Sequence, residues 1–376
     1  MDFSLIVVVV IATALAFDFT NGFHDTANAM ATSIATGALP PRVAVGISAV
    51  LNLAGAFISI EVAKTISNGI VDEKLITPTV IFGGLVGAIV WNLATWLFGL
   101  PSSSSHALFG GLIGASWVAS GVDAVHFPVV LAKIIVPALA APLVACLAST
   151  LATYLAYKIT RQSRDTTRAK GFRVGQIVTA SLVSLAHGTN DAQKTMGVIT
   201  LTLITAGSLP TGSVPPVWVI VCAGTAIALG TYLGGWRIIR TMGKGITDIE
   251  TPQGFAAEAS ATAVILTSSH VGFALSTTHV VSGGIVGAGL GKRLAEVRWG
   301  TAGRIVIAWV LTLPAAALVG ALSGRVADMG TVGTVAVALV GVAIGAGVYL
   351  LARRSPVSAG NVNEETDAPA AQPAAA

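Results

Sequence analysis

Charged side chains are scarce in this chain. Its 376 residues are 54% hydrophobic, and only 10% are Asp, Glu, Lys or Arg. Soluble domains carry about 25% charged residues, because a polar surface must cover the core. This composition excludes an ordinary soluble domain, and the mean hydropathy of +0.81 supports the same conclusion.

Cysteine is also scarce: the chain has two, Cys146 and Cys222. Both lie in apolar stretches far apart in sequence, so we expect small apolar side chains rather than a disulfide. The sequence contains neither a Gly-x-Ser-x-Gly elbow nor a His-Glu-x-x-His helix. These absences argue against an intramembrane hydrolase, and we expect no enzyme.

Long stretches of the chain have no charged residue: 75–122, 134–157, 195–236, 259–291, 305–324 and 329–352. A helix needs about 20 apolar residues to cross the hydrocarbon core of a bilayer. Several stretches are long enough for one or two crossings. The sequence therefore predicts an all-α polytopic membrane protein.

Apolar runs and turn residues predict about 11 helical segments. They span 3–39, 43–61, 78–98, 107–119, 128–157, 174–206, 215–235, 253–271, 280–290, 303–323 and 330–352. A continuous helix over 3–39 would be about 55 Å long, beyond the ~30 Å core. Because its middle is polar, we predict a break there and a similar break within 174–206. The short segments 107–119 and 280–290 are predicted to be half-helices or re-entrant hairpins.

Basic residues predict the orientation. Segment 158–173 carries six Lys or Arg against one Asp, which is typical of a cytoplasmic loop. Counting crossings outward from it places Arg237, Lys292 and Arg353 on the cytoplasmic side and segment 61–74 outside. We expect the N-terminus outside and the C-terminus in the cytoplasm.

The chain repeats itself. Residues 21–28 align with 187–194 at an offset of 166, and residues 99–111 align with 272–284 at an offset of 173. These alignments pair Asp25 with Asp191 and His106 with His279. Five predicted crossings separate the two copies, and an odd number turns the second copy upside down. Such inverted repeats typically place the substrate site near the membrane midplane, on discontinuous helices.

The repeats predict the domain organisation. A first inverted repeat covers 1–157, a basic cytoplasmic loop 158–173, and a second inverted repeat 174–325. An additional transmembrane helix covers 326–354. The Ala- and Pro-rich residues 355–376 are predicted to be a disordered tail.

Two carboxylates lie at membrane depth, Asp25 near Asn28 and Asp191 beside Asn190. A carboxylate there costs several kcal/mol unless it is paired, protonated or bound to a cation. The matched positions favour a site for Na⁺ or a proton over a structural ion pair or a helix cap. Lys194 either neutralises Asp191 or approaches an anion.

Two hydroxyl clusters precede apolar helices: Ser103, Ser104 and Ser105 in the first half, and Ser276, Thr277 and Thr278 in the second. Hydroxyls and free N–H groups at a helix N-terminus bind tetrahedral oxyanions. The alternative is simple N-capping, but the duplication favours an anion site. His106 and His279 directly follow the two clusters. They could be ligands, proton carriers or structural supports, and we expect structural supports.

Glu258 is an isolated acidic residue in an otherwise uncharged segment. A carboxylate facing the anion would accept the proton of HPO₄²⁻, which sulfate lacks. The alternatives are a cation ligand and a helix-end contact.

These motifs resemble the PiT family of inorganic phosphate transporters over residues 15–325. The pattern Asn21-Gly-x-x-Asp25-x-x-Asn28 and its partner Gly188-x-Asn190-Asp191-x-x-Lys194 are similar to that family's paired motif. The segments 254–258 and 275–279 are similar to its second-half elements. The resemblance implies phosphate cotransport in a homodimer. It implies cations around Asp25, Asn28, Asn190 and Asp191, with Na⁺ on the two aspartates if Na⁺ is coupled, and the anion around the hydroxyl clusters.

His24 stands where many relatives have Asn, and it resembles the bacterial branch, which carries protons or a neutral metal–phosphate complex. We expect His24 and His187 to support the site. The sequence thus predicts a bacterial inner-membrane symporter that imports phosphate by alternating access, coupled to H⁺ or as a metal–phosphate complex, with Na⁺ as the other candidate. We expect no resident cofactor. A sulfate permease of the same fold and a passive anion channel are the alternatives.

Overall fold

Helices form almost all of the protein. This computed structural model describes residues 4–292 and 297–364. The helices in these ranges are α1 Leu5–Ala35, α2 Pro41–Gly55, α3 Glu61–Gly69, α4 Pro78–Leu97, α5 Ser104–Ser120, α6 Phe127–Ile159, α7 Asp165–Thr205, α8 Val217–Leu233, α9 Trp236–Gly245, α10 Thr251–His270, α11 Thr277–Lys292, α12 Trp299–Ala327 and α13 Thr331–Ala352. Five helices, α1, α4, α6, α12 and α13, are long and apolar enough to cross a membrane, and α8 with α9 adds a sixth if that bent pair is one span. The prediction of a helical polytopic membrane protein is confirmed.

The first long helix, α1, is continuous, so the predicted break within 3–39 is wrong. It runs for 31 residues, and its polar middle is buried inside the protein. The Thr26 hydroxyl donates to Gly22 O in the preceding turn at 2.6 Å, and other polar side chains bind neighbouring helices. Because these polar side chains are hydrogen-bonded inside the protein, α1 remains helical through its polar middle.

The second long helix, α7, is also continuous, so the predicted break within 174–206 is wrong as well. It runs for 41 residues, about 60 Å at 1.5 Å per residue. Its first turns take up most of the predicted loop 158–173, with residues 160–164 between the helices. The exposed basic residues there carry the helix beyond the hydrocarbon core, which accounts for its length.

Two short helices, α5 and α11, begin inside the protein, as predicted for half-helices. Non-helical residues 98–103 and 271–276 connect them to α4 and α10. The side chains of residues 104–116 at the start of α5 are buried. The two helix N-termini therefore lie in the interior, where their unpaired N–H groups can meet a buried ligand.

Two elements differ from the predicted helix map. Segment 61–74, predicted to be an outer loop, contains the helix α3. The helix predicted over 215–235 stops at Gly234, which has φ 76°. The chain then turns by 62° into α9. A left-handed φ suits glycine and ends a helix, so the Gly-Gly pair sets this bend.

Matched glycines bring the motif helices against their neighbours. A Cβ at Gly22 of α1 would overlap the backbone oxygen of Ile227 in α8, and a Cβ at Gly188 of α7 would overlap that of Asn52 in α2. Small residues allow this approach between membrane helices. Each motif is thus held against a helix of the opposite half of the chain.

The start of the predicted tail is folded. Residues 355–364 form turns, and Val362 is 1% exposed. The Asn363 amide donates to Ile34 O of α1 at 3.2 Å, and Arg240 donates to Asn361 O at 2.5 Å. The tail composition does not reveal these contacts, because they depend on the surface of α1 and α9. The rest of the predicted tail, 365–376, lies outside the described residues.

Close packing of α5 on α12 gives a stability prediction. A Cβ at Gly114 would overlap the backbone oxygen of Ala317, so Gly114→Ala forces the helices apart. We expect a loss of about 1–3 kcal/mol, measured by thermal unfolding in detergent. The control is Gly347→Ala in α13, where a Cβ has no atom within 4 Å. Equal effects from the two changes would contradict this account of the interface.

Candidate functional site

The two polar motifs meet in the interior of the protein. Asp25 and Asn28 lie on α1, and Asn190 and Asp191 lie on α7. The N-termini of α5 and α11 point their hydroxyl clusters at these residues. All four motif side chains are at most 2% exposed. The structure therefore brings the predicted cation residues and the two hydroxyl clusters together in one buried site, whereas Glu258 lies apart from them.

Asp25 is surrounded by donors from both halves. The Ser104 hydroxyl lies 2.5 Å from Asp25 Oδ2 and 2.7 Å from Asn21 Oδ1. His24 Nδ1 lies 2.7 Å from Asp25 Oδ1, and the Thr278 hydroxyl donates to the same oxygen at 3.4 Å. These donors satisfy the hydrogen-bonding capacity of a carboxylate that lies away from water.

Asp191 is the centre of a second, similar cluster. The Lys194 ammonium donates to Asp191 Oδ1 at 2.5 Å. His187 Nε2 lies 3.2 Å from Asp191 Oδ2, and the Thr277 hydroxyl donates to Oδ2 at 3.4 Å. Since Lys194 and Asp191 are both 0% exposed, this is an ion pair without solvent screening.

Each motif also reaches the hydroxyl cluster of the opposite half. The Asn28 amide of α1 donates to the hydroxyls of Thr277 and Thr278 at 3.2 and 3.0 Å. The Lys194 ammonium of α7 donates to the Ser105 hydroxyl at 2.5 Å. These exchanged contacts join the halves at their aligned positions. Lys194 both pairs with Asp191 and contacts the first hydroxyl cluster at Ser105, so the geometry is compatible with both of its predicted roles.

Several atoms in this site suit a small cation. One ligand atom each from Asp25, His187 and Asp191 lies within 4.8 Å of the others. The side-chain oxygens of Asn28 and Asn190 are buried and have no hydrogen-bond partner among the described residues. Carboxylate and amide oxygens are ligands for hard cations, so the donor set fits one.

The hydroxyl clusters divide into two roles. Ser103 and Ser276 accept from the backbone N–H of the residues three positions later, at 3.1 and 3.2 Å. These two serines are N-caps, as the simpler interpretation predicts. Ser104, Ser105, Thr277 and Thr278 instead face Asp25, Asp191 and Lys194. With the N-termini of α5 and α11, these four hydroxyls can surround an oxyanion.

His106 and His279 pack against each other beneath the clusters. Their ring centroids are 4.7 Å apart at an interplanar angle of 72°. His279 also stacks on Trp309 at 4.1 Å. The contacts are those of packed supports, although the Nε2 atom of each ring is buried without a partner in the described part of the chain.

Comparison with known proteins identifies the family. A model described as the phosphate transporter family matches residues 21–171 and 158–320. The chain belongs to this family. The resemblance inferred from the motifs is thereby confirmed, and the family consists of transporters rather than enzymes.

Named relatives agree with this assignment. The chain is 56% identical to a probable low-affinity inorganic phosphate transporter of Mycobacterium tuberculosis (strain CDC 1551 / Oshkosh), over 96% of this chain and 87% of the relative. It is 44% identical to a protein of the same description from Bacillus subtilis (strain 168), over 88% of this chain and 99% of the relative.

A solved structure shows the same fold. It is described as the sodium-dependent phosphate transporter, and it matches with a TM-score of 0.76 at 24% identity. The match covers 87% of this chain and 100% of that chain. At this identity the likeness concerns the fold.

Glu258 lies apart from the hydroxyl clusters in this family member. Its carboxylate accepts from Thr32 and, at 2.8 Å, from Ser33 of α1. From α7 it accepts from Thr179 at 2.6 Å and from Gln176 at 3.4 Å. Among the described residues, no hydrogen bond links Glu258 to either cluster. It instead joins α10 to both motif helices, near the C-terminal end of α1 and within the first half of α7.

Sequence reasoning missed several residues of the site. Asn52 lies 3.1 Å from His187 Nδ1, and Thr95 lies 3.1 Å from His24 Nε2. Asp18 of α1 is 0% exposed. The available signal was the same for all three, a polar side chain in an apolar helix.

The buried ion pair gives a testable prediction for this transporter. Lys194→Gln removes the cation from Asp191 and leaves a buried charge, at a cost of about 3–5 kcal/mol. The double variant Asp191→Asn, Lys194→Gln removes both charges, so its loss of stability should be smaller than the summed losses of the two single variants. Thermal unfolding of the unchanged protein, the two single variants and the double variant in detergent measures this coupling. Additive effects would show that the two side chains do not form an ion pair.

Proposed function

We propose that this protein is a secondary transporter that imports inorganic phosphate by cation-coupled symport. The observation that carries this proposal is the contact between the two carboxylate motifs and the two hydroxyl-lined helix N-termini. A cation site and an anion site are thereby adjacent and share residues. The family and the names of its relatives support phosphate as the substrate.

Adjacency of the two sites explains coupling. A cation at Asp25 and Asp191 removes the negative field that would repel an oxyanion bound at Ser104 and Thr278, since Ser104 lies 2.5 Å from Asp25. Opposite charges at such short range attract strongly in a low-dielectric interior. Each ligand therefore raises the affinity for the other.

Two repeats around one site support alternating access. Inverted-repeat transporters move one half against the other around a fixed midplane site. Here the contacts of Asn28 with Thr277 and of Lys194 with Ser105 cross between the halves. We propose that these contacts keep the site intact while the surrounding helices move.

Protons are the favoured coupling ion. Asp18, two turns before Asp25 on α1, is a fully buried carboxyl group. Binding a proton removes a charge that is costly at this depth. His24 offers a second protonatable group beside Asp25, at 2.7 Å. A neutral metal–phosphate complex and Na⁺ remain the other candidates.

The predicted placement in the cell is part of the proposal. Basic residues at the start of α7 and on α9 favour an orientation with the N-terminus outside and the C-terminus inside. The bacterial relatives favour a bacterial inner membrane. The family resemblance favours a homodimer. Sulfate is the competing substrate, and a passive channel is disfavoured because it has no need of two buried carboxylates.

Uptake into proteoliposomes tests the proposal. We expect radiolabelled phosphate to accumulate inside the vesicles when the outside is more acidic than the inside, because protons then enter together with the anion. A sodium gradient at constant pH tests the other coupling ion, and unlabelled sulfate tests the substrate. Equilibration without accumulation under every gradient would indicate a channel, and equal inhibition by sulfate would remove the preference for phosphate.

A second variant tests the proton site. We expect Asp18→Asn to abolish the stimulation of uptake by a pH gradient, because the amide cannot release a proton. Phosphate binding, measured as thermal stabilisation at saturating phosphate, should persist. The matched control is Asp123→Asn, an exposed carboxylate. Unchanged pH-gradient stimulation in the Asp18 variant would exclude this residue as the proton carrier.

A further inference from the structure

A basic cavity lies at the end of the molecule that carries α9, the side predicted to be cytoplasmic. Its volume is about 560 Å³. Its cationic lining residues are Arg237, Arg240, Lys244, Arg298 and Arg304, and its acidic ones are Asp248 and Glu364. The cavity is separate from the buried site between α1 and α7.

Among the described residues, most of these cationic side chains have no acidic partner. Arg298 pairs with Asp248 at 2.9 Å. Arg237 and Arg240 instead donate to backbone oxygens, which satisfy hydrogen bonds without cancelling charge. Lys244 and Arg304 form no ion pair within the described residues, and the Nε of Arg240 is buried there without a partner. The cavity is therefore suited to an anion.

An apolar groove continues from this cavity along the side of the protein. Its volume is about 300 Å³, and it shares Phe98 and Arg304 with the basic cavity. The other lining residues include Trp91, Ala94, Leu100, Ile307 and Leu311. Phe98, which directly follows α4, and Ile307 of α12 are 74% and 60% exposed, and both of these helices are long and apolar enough to cross a membrane. The groove thus opens towards the bilayer.

We propose that the cavity and the groove together bind one anionic phospholipid. The phosphodiester lies among Arg240, Lys244 and Arg304, and an acyl chain lies in the groove. Basic pockets between membrane helices on the cytoplasmic side bind anionic lipid headgroups. A soluble anion would use the cavity but not the groove, and the continuity of the two favours the lipid.

This site has a route to the buried motifs. Thr95 lines the groove, and its hydroxyl lies 3.1 Å from His24 Nε2 and 2.8 Å from the Ser102 hydroxyl. His24 in turn contacts Asp25. An acyl chain in the groove would therefore pack against α4 at Thr95, the residue that contacts His24. This lipid site is additional to the proposed transport function.

Native mass spectrometry of the full chain tests the proposal. The probes are phosphatidylglycerol and phosphatidylcholine with identical acyl chains, added to delipidated protein. We expect tighter binding of phosphatidylglycerol. Lys244→Gln with Arg304→Gln should weaken it about 25-fold, since each lost cation costs about fivefold. The control is Arg42→Gln, an exposed basic residue outside the cavity, which should leave the affinity unchanged.

A second variant separates a lipid from a soluble anion. Ala94→Phe fills the groove and keeps every charge, so it should weaken phosphatidylglycerol binding while leaving any binding of glycerol 3-phosphate unaltered. Full phosphatidylglycerol affinity in this variant would overturn the proposal and leave a soluble-anion site. Equal affinity for the two phospholipids would also overturn it. Binding only after removal of residues 365–376 would assign the cavity to the chain's own acidic segment, which includes Glu365 and Asp367.

Discussion

Two carboxylates buried at membrane depth constrain the rest of this structure. Asp25 and Asp191 are 2% and 0% exposed, and unpaired charges there cost several kcal/mol each. The protein surrounds them with hydroxyls, histidines and one lysine. Every one of these partners comes from a helix that must reach the protein interior. The buried ends of α5 and α11 follow from that requirement.

The partners are not distributed equally. Asp191 has an ion-pair partner, because the Lys194 side-chain nitrogen lies 2.5 Å from its carboxylate. Asp25 is contacted by hydroxyls and His24 instead. The residue of α1 that aligns with Lys194 is Asn28, which carries no charge. The two halves therefore present one carboxylate that is already neutralised and one that depends on hydrogen bonds or a mobile cation. The matched motifs therefore provide unequal surroundings for the two carboxylates.

Sequence alone predicted much of the architecture, and its errors have a common cause. The boundaries of α4 and α10 were predictable because Pro78 and Pro252 mark their starts. The continuity of α1 was not, because polar residues in a helix either break it or find distant partners. Asn28 finds its partners 249 and 250 residues away, a distance that no local pattern reveals.

In the candidate site too, residues with a local sequence pattern were predictable, and contacts between distant residues were not. The matched motifs predicted Asp25, Asp191 and the hydroxyl clusters, because their spacing repeats along the chain. Glu258 was also visible as an isolated charge, but its placement depends on Thr32 and Thr179, which look like ordinary residues of apolar helices. Its hydrogen bonds to α1 and α7 could be read only from the folded chain.

The central claim is that cation and phosphate bind at adjacent positions and stabilise each other. The most direct test is the phosphate affinity of the purified protein, measured by titration calorimetry over a range of pH and Na⁺ concentration. Linkage requires the affinity to rise with the concentration of the coupling cation, and cation affinity to rise equally with phosphate. A phosphate affinity independent of both proton and Na⁺ concentration would contradict the account.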